Sequence, residues 1–208
     1  MSKIGIMGGT FNPIHLGHLI LAENAYEQLH LEKVLFMPSK NPPHKAKPEL
    51  AAEQQRVDMI ELAISSNPHF ELSTIELTRD GLTYTADTLA LLKQENPDVN
   101  YYFIVGADSL FMMHKWKDPQ IVFSHCTIVA AGRDHALEAD IQQQIQFLRE
   151  HFHAEIIRAA MPTIQIASGE IRDRIAAGKS VRYYIPDSVT NYIEANQLYF
   201  NRQEVISQ

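Results

Sequence analysis

Two histidines three residues apart, His15 and His18, stand just after the glycine turn Gly8-Gly9-Thr10-Phe11 in a chain of 208 residues. Imidazoles at this spacing share a face where they open a helix, and glycines let backbone N–H groups close on an anion. Upstream, Lys3-Ile4-Gly5-Ile6-Met7 is a short apolar run that reads as a buried strand. Downstream, Leu19, Ala22, Ala25, Tyr26 and Leu29 recur at helical spacing. The junction is therefore strand, glycine turn, helix, and a helix start carries N–H donors with partial positive charge. Such a junction suits phosphate. Chemistry on bound phosphate needs positioning and charge stabilisation more than covalent chemistry.

Rival readings of these residues are weaker. The turn does not spell G-x-G-x-x-G, and no Lys-Ser/Thr follows it as a Walker loop requires. Gly178-Lys179-Ser180 ends like a Walker loop, but Asp173 stands where its first glycine belongs, so Gly178 reads as a helix C-terminal cap. Zinc is disfavoured because no Glu lies between the histidines as in H-E-x-x-H, and the lone Cys126 cannot complete a thiolate set. A blander account makes both histidines exposed or capping side chains, although helix starts usually recruit Ser, Thr, Asp or Asn.

Strands are expected at 3–7, 34–37, 70–77, 101–105 and 127–130, with a short one at 155–157. Helices are expected after the glycine turn, over 50–65, 85–95, 109–113, 137–150, 169–177 and 187–197. This alternation predicts an α/β fold, a Rossmann-like, doubly wound, mostly parallel sheet with helices on both faces. With 45% hydrophobic content the chain can bury one substantial core. One domain is expected over 1–198, with a small C-terminal helical part from about 166 and a polar tail over 199–208. A net charge of −7 argues against a nucleic-acid partner, and no apolar run approaches a membrane span. One cysteine and the lack of a secretory pattern at the amino end point to a reducing, cytoplasmic setting.

In sheets of this kind ligands gather outside the carboxyl ends of the strands, which directs attention to the loops after Met7, Met37, Val105 and Ala130. The second loop, Pro42-Pro43-His44-Lys45 and its neighbours, holds three lysines in an acidic protein, and Lys45 is placed to reach polyphosphate. The third, Gly106-Ala107-Asp108, lets backbone approach a base. Asp108 either accepts from a ribose or orients metal-bound water, or caps the following helix. In the fourth, Arg133 faces phosphate or plain solvent. Thr83-Tyr84-Thr85 enters a helix whose first donors, Tyr84 to Ala86, could seat a small carboxylate. Trp116, the only tryptophan, sits among lysines and an aspartate and could stack on a flat ring. Near the end, Ser168 reads as a helix N-cap on phosphate, with Arg172 one turn on to fork onto it.

The run Gly8 to His18, with its H-x-G-H, resembles the signature of the nucleotidyltransferase superfamily. Together with Pro42-Pro43-His44-Lys45, Thr83 to Thr88, Gly106 to Asp108, Trp116 to Pro119 and Ser168 to Arg172, the chain resembles the bacterial nicotinate-nucleotide adenylyltransferase family over roughly residues 3 to 196. The resemblance implies transfer of the adenylyl group of ATP to nicotinate mononucleotide, releasing pyrophosphate, with Mg²⁺ carried on the ATP phosphates and no protein-held metal. It implies that His15, His18, Lys45 and Arg172 are catalytic, and that Gly8, Gly9, Thr10, Phe11, Gly106, Asp108, Ser168 and Ile171 also bind ATP. It assigns Thr85, Trp116, Tyr84, Lys45 and Arg133 to the mononucleotide. Ala167 and Gly169 depart from the hydroxyl residues usual in the serine-rich motif. Other acceptors, nicotinamide mononucleotide or a phosphopantetheine, stay open, as does a non-catalytic nucleotide sensor. Assembly is open too, with a homodimer among the options.

Overall fold

A computed structural model describes residues 1–40, 50–79, 81–131, 138–160 and 164–200. In chain order the strands are β1 (Lys3–Gly9), β2 (Lys33–Pro38), β3 (Phe70–Leu72), β4 (Asn100–Val105), β5 (Cys126–Ala131) and β6 (Ile156–Ala159). The helices are α1 (Leu16–Leu29), α2 (Glu53–Ile64), α3 (Thr85–Glu95), α4 (Ala107–Met112), α5 (Pro119–His125), α6 (Glu138–Phe152), α7 (Ser168–Ala176) and α8 (Asp187–Ala195). The six strands make one sheet, ordered β3-β2-β1-β4-β5-β6, and every pairing is parallel.

Alternation along each strand divides the apolar residues between two faces. On β4, Tyr101, Phe103 and Val105 join one cluster while Tyr102 and Ile104 pack into the other. On β1, Ile6 and Met7 divide the same way. The first cluster is closed by Leu89 of α3, Leu110 of α4, Phe123 of α5 and Ile145 of α6. The second is closed by Ala22 of α1, Ile60 of α2, Ile175 of α7 and Val189 of α8. Helices therefore cover both faces, which is why the central strands tolerate apolar side chains on either side. Strand order reverses between β1 and β4, and the loops leaving their carboxyl ends diverge to open a crevice there. The doubly wound α/β fold expected from the sequence is the one found.

Differences from the sequence reading are local. The alternating run 70–77 is a strand only through Leu72. Beyond it the chain turns, with Leu77 N–H donating to Thr74 O at 2.8 Å. As an edge strand β3 pairs only with β2, so nothing holds the later residues extended. Helix α5 is not among those expected; Pro119 opens it, at a position where its missing N–H costs nothing. The cap of α4 is Gly106 rather than Asp108, and the cap of α7 is Ala167 rather than Ser168, each one or two residues earlier than expected. Gly178 closes α7 as expected, at φ 65, with its N–H on Ile175 O at 3.0 Å. Cys126 is buried, and burial pushes its thiol up to about 12. Among the described residues no helix is long and apolar enough to cross a membrane.

Candidate active site

The β1–α1 loop is built around a buried aromatic ring. Phe11 adopts a left-handed backbone, φ 49, and its side chain is almost wholly enclosed. The peptide between Asn12 and Pro13 is cis. The chain then reaches His15, extended at φ −145 and ψ 168, which caps α1. From there the main-chain N–H of His15 donates to Nδ1 of His18 at 3.3 Å. The two imidazoles stack with centroids 3.7 Å apart and planes 24° apart, and Phe11 meets His18 edge-on at 4.9 Å. An acceptor Nδ1 leaves Nε2 to carry the ring proton, so His18 is held as a donor in one tautomer. Gly17 makes the stack fit. A Cβ there would lie 3.0 Å from His15 Nδ1 and 3.1 Å from Cε1.

A second wall comes from the start of α3. Tyr84, extended at φ −116 and ψ 139, caps it, and the first intrahelical bond is Thr88 N–H to Tyr84 O at 3.1 Å. The amides of Thr85 to Asp87 thus precede the helical ladder, at the positive end of the helix dipole. Trp116 lines the same cleft, edge-on to Phe103 with centroids 6.1 Å apart. Its neighbour Lys117 lies over the Tyr84 ring at 4.4 Å and 3.7 Å from Asp87, which ties the tryptophan segment to the first turn of α3.

These walls bound one cleft of about 490 Å³ at the carboxyl ends of β1 and β4. Of the residues singled out from the sequence, it brings together Gly8, Gly9, Thr10, Phe11, His15 and His18 from the first loop. Gly106 and Asp108 after β4, Thr85, Trp116 and Ser168 line it as well. A Cβ on Gly106 would meet no protein atom within 4 Å, so clearance for a ligand, not for the protein's own packing, is what that glycine offers.

Three residues named from the sequence lie outside the lining. Ile171 has its side chain fully buried in the core and its N–H on Ala167 O at 3.1 Å, which seats α7. Arg172 lies outside the lining and donates from Nη1 to Asn12 O at 3.0 Å. Tyr84 contributes its backbone to the helix start while its ring carries Lys117. Ser168 is the first helical residue of α7, and its hydroxyl donates to Pro13 O at 2.9 Å, joining that helix to the glycine loop. Lys45 and Arg133 lie outside the described residues, as does the Pro42-Pro43-His44-Lys45 motif. Among the described residues no group of three His, Cys, Asp or Glu side chains could hold a metal ion.

A family model described as cytidylyltransferase-like matches residues 6–174. A probable nicotinate-nucleotide adenylyltransferase of Lachnoclostridium phytofermentans is 50% identical over 199 residues, spanning 96% of this chain and 100% of that protein. The chain belongs to the nicotinate-nucleotide adenylyltransferase family. Another relative of that description, from a Thermoanaerobacter species, is 39% identical over 97% of this chain and 96% of its own length. Among solved structures, Plasmodium falciparum nicotinic acid mononucleotide adenylyltransferase complexed with NaAD has a TM-score of 0.81 over 97% of this chain and 99% of that one. At 20% identity, that likeness is one of fold.

One lining residue of this adenylyltransferase cleft escaped the motif spacing. Glu76 is 7% exposed, accepts from Thr88 Oγ1 at 3.0 Å, and borders the cleft beside Thr83 and Thr85. Burial pushes its carboxyl above the usual carboxylate range, while Thr88, Thr83 and the charge of Arg79 work the other way. No sequence signal marked it, because the turn that aims it inward lies where alternation suggested a strand.

Proposed function

We propose that this protein transfers the adenylyl group of ATP to nicotinate mononucleotide, giving nicotinate adenine dinucleotide and pyrophosphate, a step of NAD biosynthesis in the cytoplasm. The observation that carries this reading is a single cleft lined by a glycine loop with stacked histidines, by the start of a helix and by a tryptophan. The glycine loop suits a triphosphate, and the helix start with the tryptophan suits a flat ring bearing a carboxylate.

The mononucleotide phosphate oxygen attacks the α-phosphorus of ATP in line. The new P–O bond forms as the bond to the pyrophosphate oxygen breaks, and no covalent enzyme intermediate is needed. Backbone N–H groups of the glycine loop, with His15 and the Nε2–H of His18, stabilise charge gathering on the leaving pyrophosphate. Lys45 adds positive charge to the same phosphates, and Arg172, outside the lining, adds its charge through the loop it binds at Asn12 O. Gly106 and Asp108 hold adenosine. The amides at Thr85 take the pyridine carboxylate while Trp116 covers the ring. Mg²⁺ carried on the ATP phosphates would neutralise part of their charge. Asp108, which lines the cleft beside Gly106, would orient water bound to that ion.

Pyrophosphate release from ATP with nicotinate mononucleotide, compared directly with nicotinamide mononucleotide, tests the assignment. A helix start favours the acid electrostatically, so kcat/KM should be higher for nicotinate mononucleotide. Equal values for acid and amide would refute the carboxylate seat, and no pyrophosphate with either would refute the reaction.

A further inference from the structure

We propose that Tyr199 and Arg56 are positioning residues for ATP, holding the β1–α1 loop so that its carbonyls point away from the cleft. A loop can offer a triphosphate its N–H groups only if its carbonyl oxygens, which repel phosphate, are engaged elsewhere. Here they are drawn off by donors from distant elements. Thr10 O accepts from Arg56 Nη1 at 2.9 Å, and the same nitrogen reaches Ser39 O at 2.8 Å, so one guanidinium ties the ends of β1 and β2. Asn12 O accepts from Arg172, and Pro13 O from Ser168. The Asn12 side chain is fixed in turn, its Oδ1 accepting from the Tyr199 hydroxyl at 2.8 Å and from Ala51 N–H at 3.0 Å.

Both positioning residues are placed at a cost that packing alone does not explain. Arg56 is 1% exposed, and desolvation lowers its pKa, so an expensive buried cation is spent on two loop carbonyls. Tyr199 has φ 68 and Gln197 φ 51, left-handed conformations that non-glycine residues adopt with strain. This double turn brings the chain back so that the phenol reaches Asn12. Burial raises the phenol's pKa, against the nearby charges of Arg172 and Arg56, and the hydroxyl remains a donor. The tail expected from 199 is thus joined to the site by its first residue.

This inference rests on the cleft being an ATP site, and its test separates the two. In the full chain, Tyr199→Phe removes one oxygen and keeps the ring. Calorimetry with a non-hydrolysable ATP analogue and Mg²⁺ should show Kd raised roughly three- to tenfold, the scale of one lost hydrogen bond, with KM for ATP following it. KM for the mononucleotide should stay within about twofold, a split that a merely structural prop would not produce. Arg56→Lys, which keeps the charge but shortens the reach to Thr10 O and Ser39 O, should show the same split. Unchanged analogue affinity in Tyr199→Phe, or an equal rise in both KM values with a lowered Tm, would overturn the proposal. A wild-type protein that binds no ATP analogue would overturn the functional reading beneath it as well.

Discussion

His15 orients His18 twice over, through a main-chain N–H on Nδ1 at 3.3 Å and through a ring stack with centroids 3.7 Å apart. The first contact fixes which nitrogen carries the proton, and the second fixes the plane in which it points. His18→Ala discards both, along with a donor whose contact strengthens as pyrophosphate leaves. The expected loss in kcat is on the order of 10²- to 10³-fold, as for other preorganised donors, with little change in Tm. Steady-state kinetics beside a thermal melt decide it, and unchanged turnover would remove His18 from the mechanism.

The glycine within H-x-G-H follows from the same stack. Gly17 stands in the first turn of α1, where alanine would by propensity favour the helix by up to about 1 kcal/mol. Yet its Cβ would press on the His15 ring at 3.0 Å and push the stack apart. Gly17→Ala should therefore keep or slightly raise Tm while kcat falls roughly tenfold or more. Parallel loss of stability and activity would mean that the glycine serves the fold instead.

Trp116 is half-buried and touches Phe103 edge-on, a pair worth about 0.5–1.5 kcal/mol beyond its buried area. It therefore serves as wall and anchor together. Trp116→Ala should lower Tm by several degrees and raise KM for the mononucleotide severalfold, while KM for ATP moves little. A rise confined to ATP would put the pyridine ring at the wrong end of the cleft.

Much of this site was legible because its chemistry is local. The glycine turn, H-x-G-H and Thr85 each sit within a few residues of a strand end or a helix start that period alone predicts, and Trp116 stood out by its type among charged neighbours. What the sequence concealed depends on tertiary routing. Ile171 and Arg172 lie in one motif one residue apart, yet helical geometry sends the first into the core and the second to the carbonyl of Asn12, 160 positions away. Tyr199 reaches the same residue across 187 positions, through a turn that no propensity favours. Glu76 was hidden because β3 stops early, a consequence of its place at the sheet edge.

Glu76 gives the fold a pH dependence whose sign follows from its burial. Its carboxyl is pushed above the ordinary glutamate value of about 4.3, so the folded state holds this proton more tightly than the unfolded chain. Below that ordinary value both states are protonated and the stabilising contribution is complete. As pH rises toward the raised folded value, the unfolded chain ionises first and the contribution is lost. Gln at this position cannot ionise, yet its amide oxygen can still accept from Thr88 Oγ1. Glu76→Gln should therefore match wild type in Tm near pH 4 and exceed it by a margin that grows as pH rises above that value. Melting curves of both proteins across that range are the check. A wild type that gains on the variant as pH rises would mean that Arg79 outweighs burial and holds Glu76 as a stabilised anion.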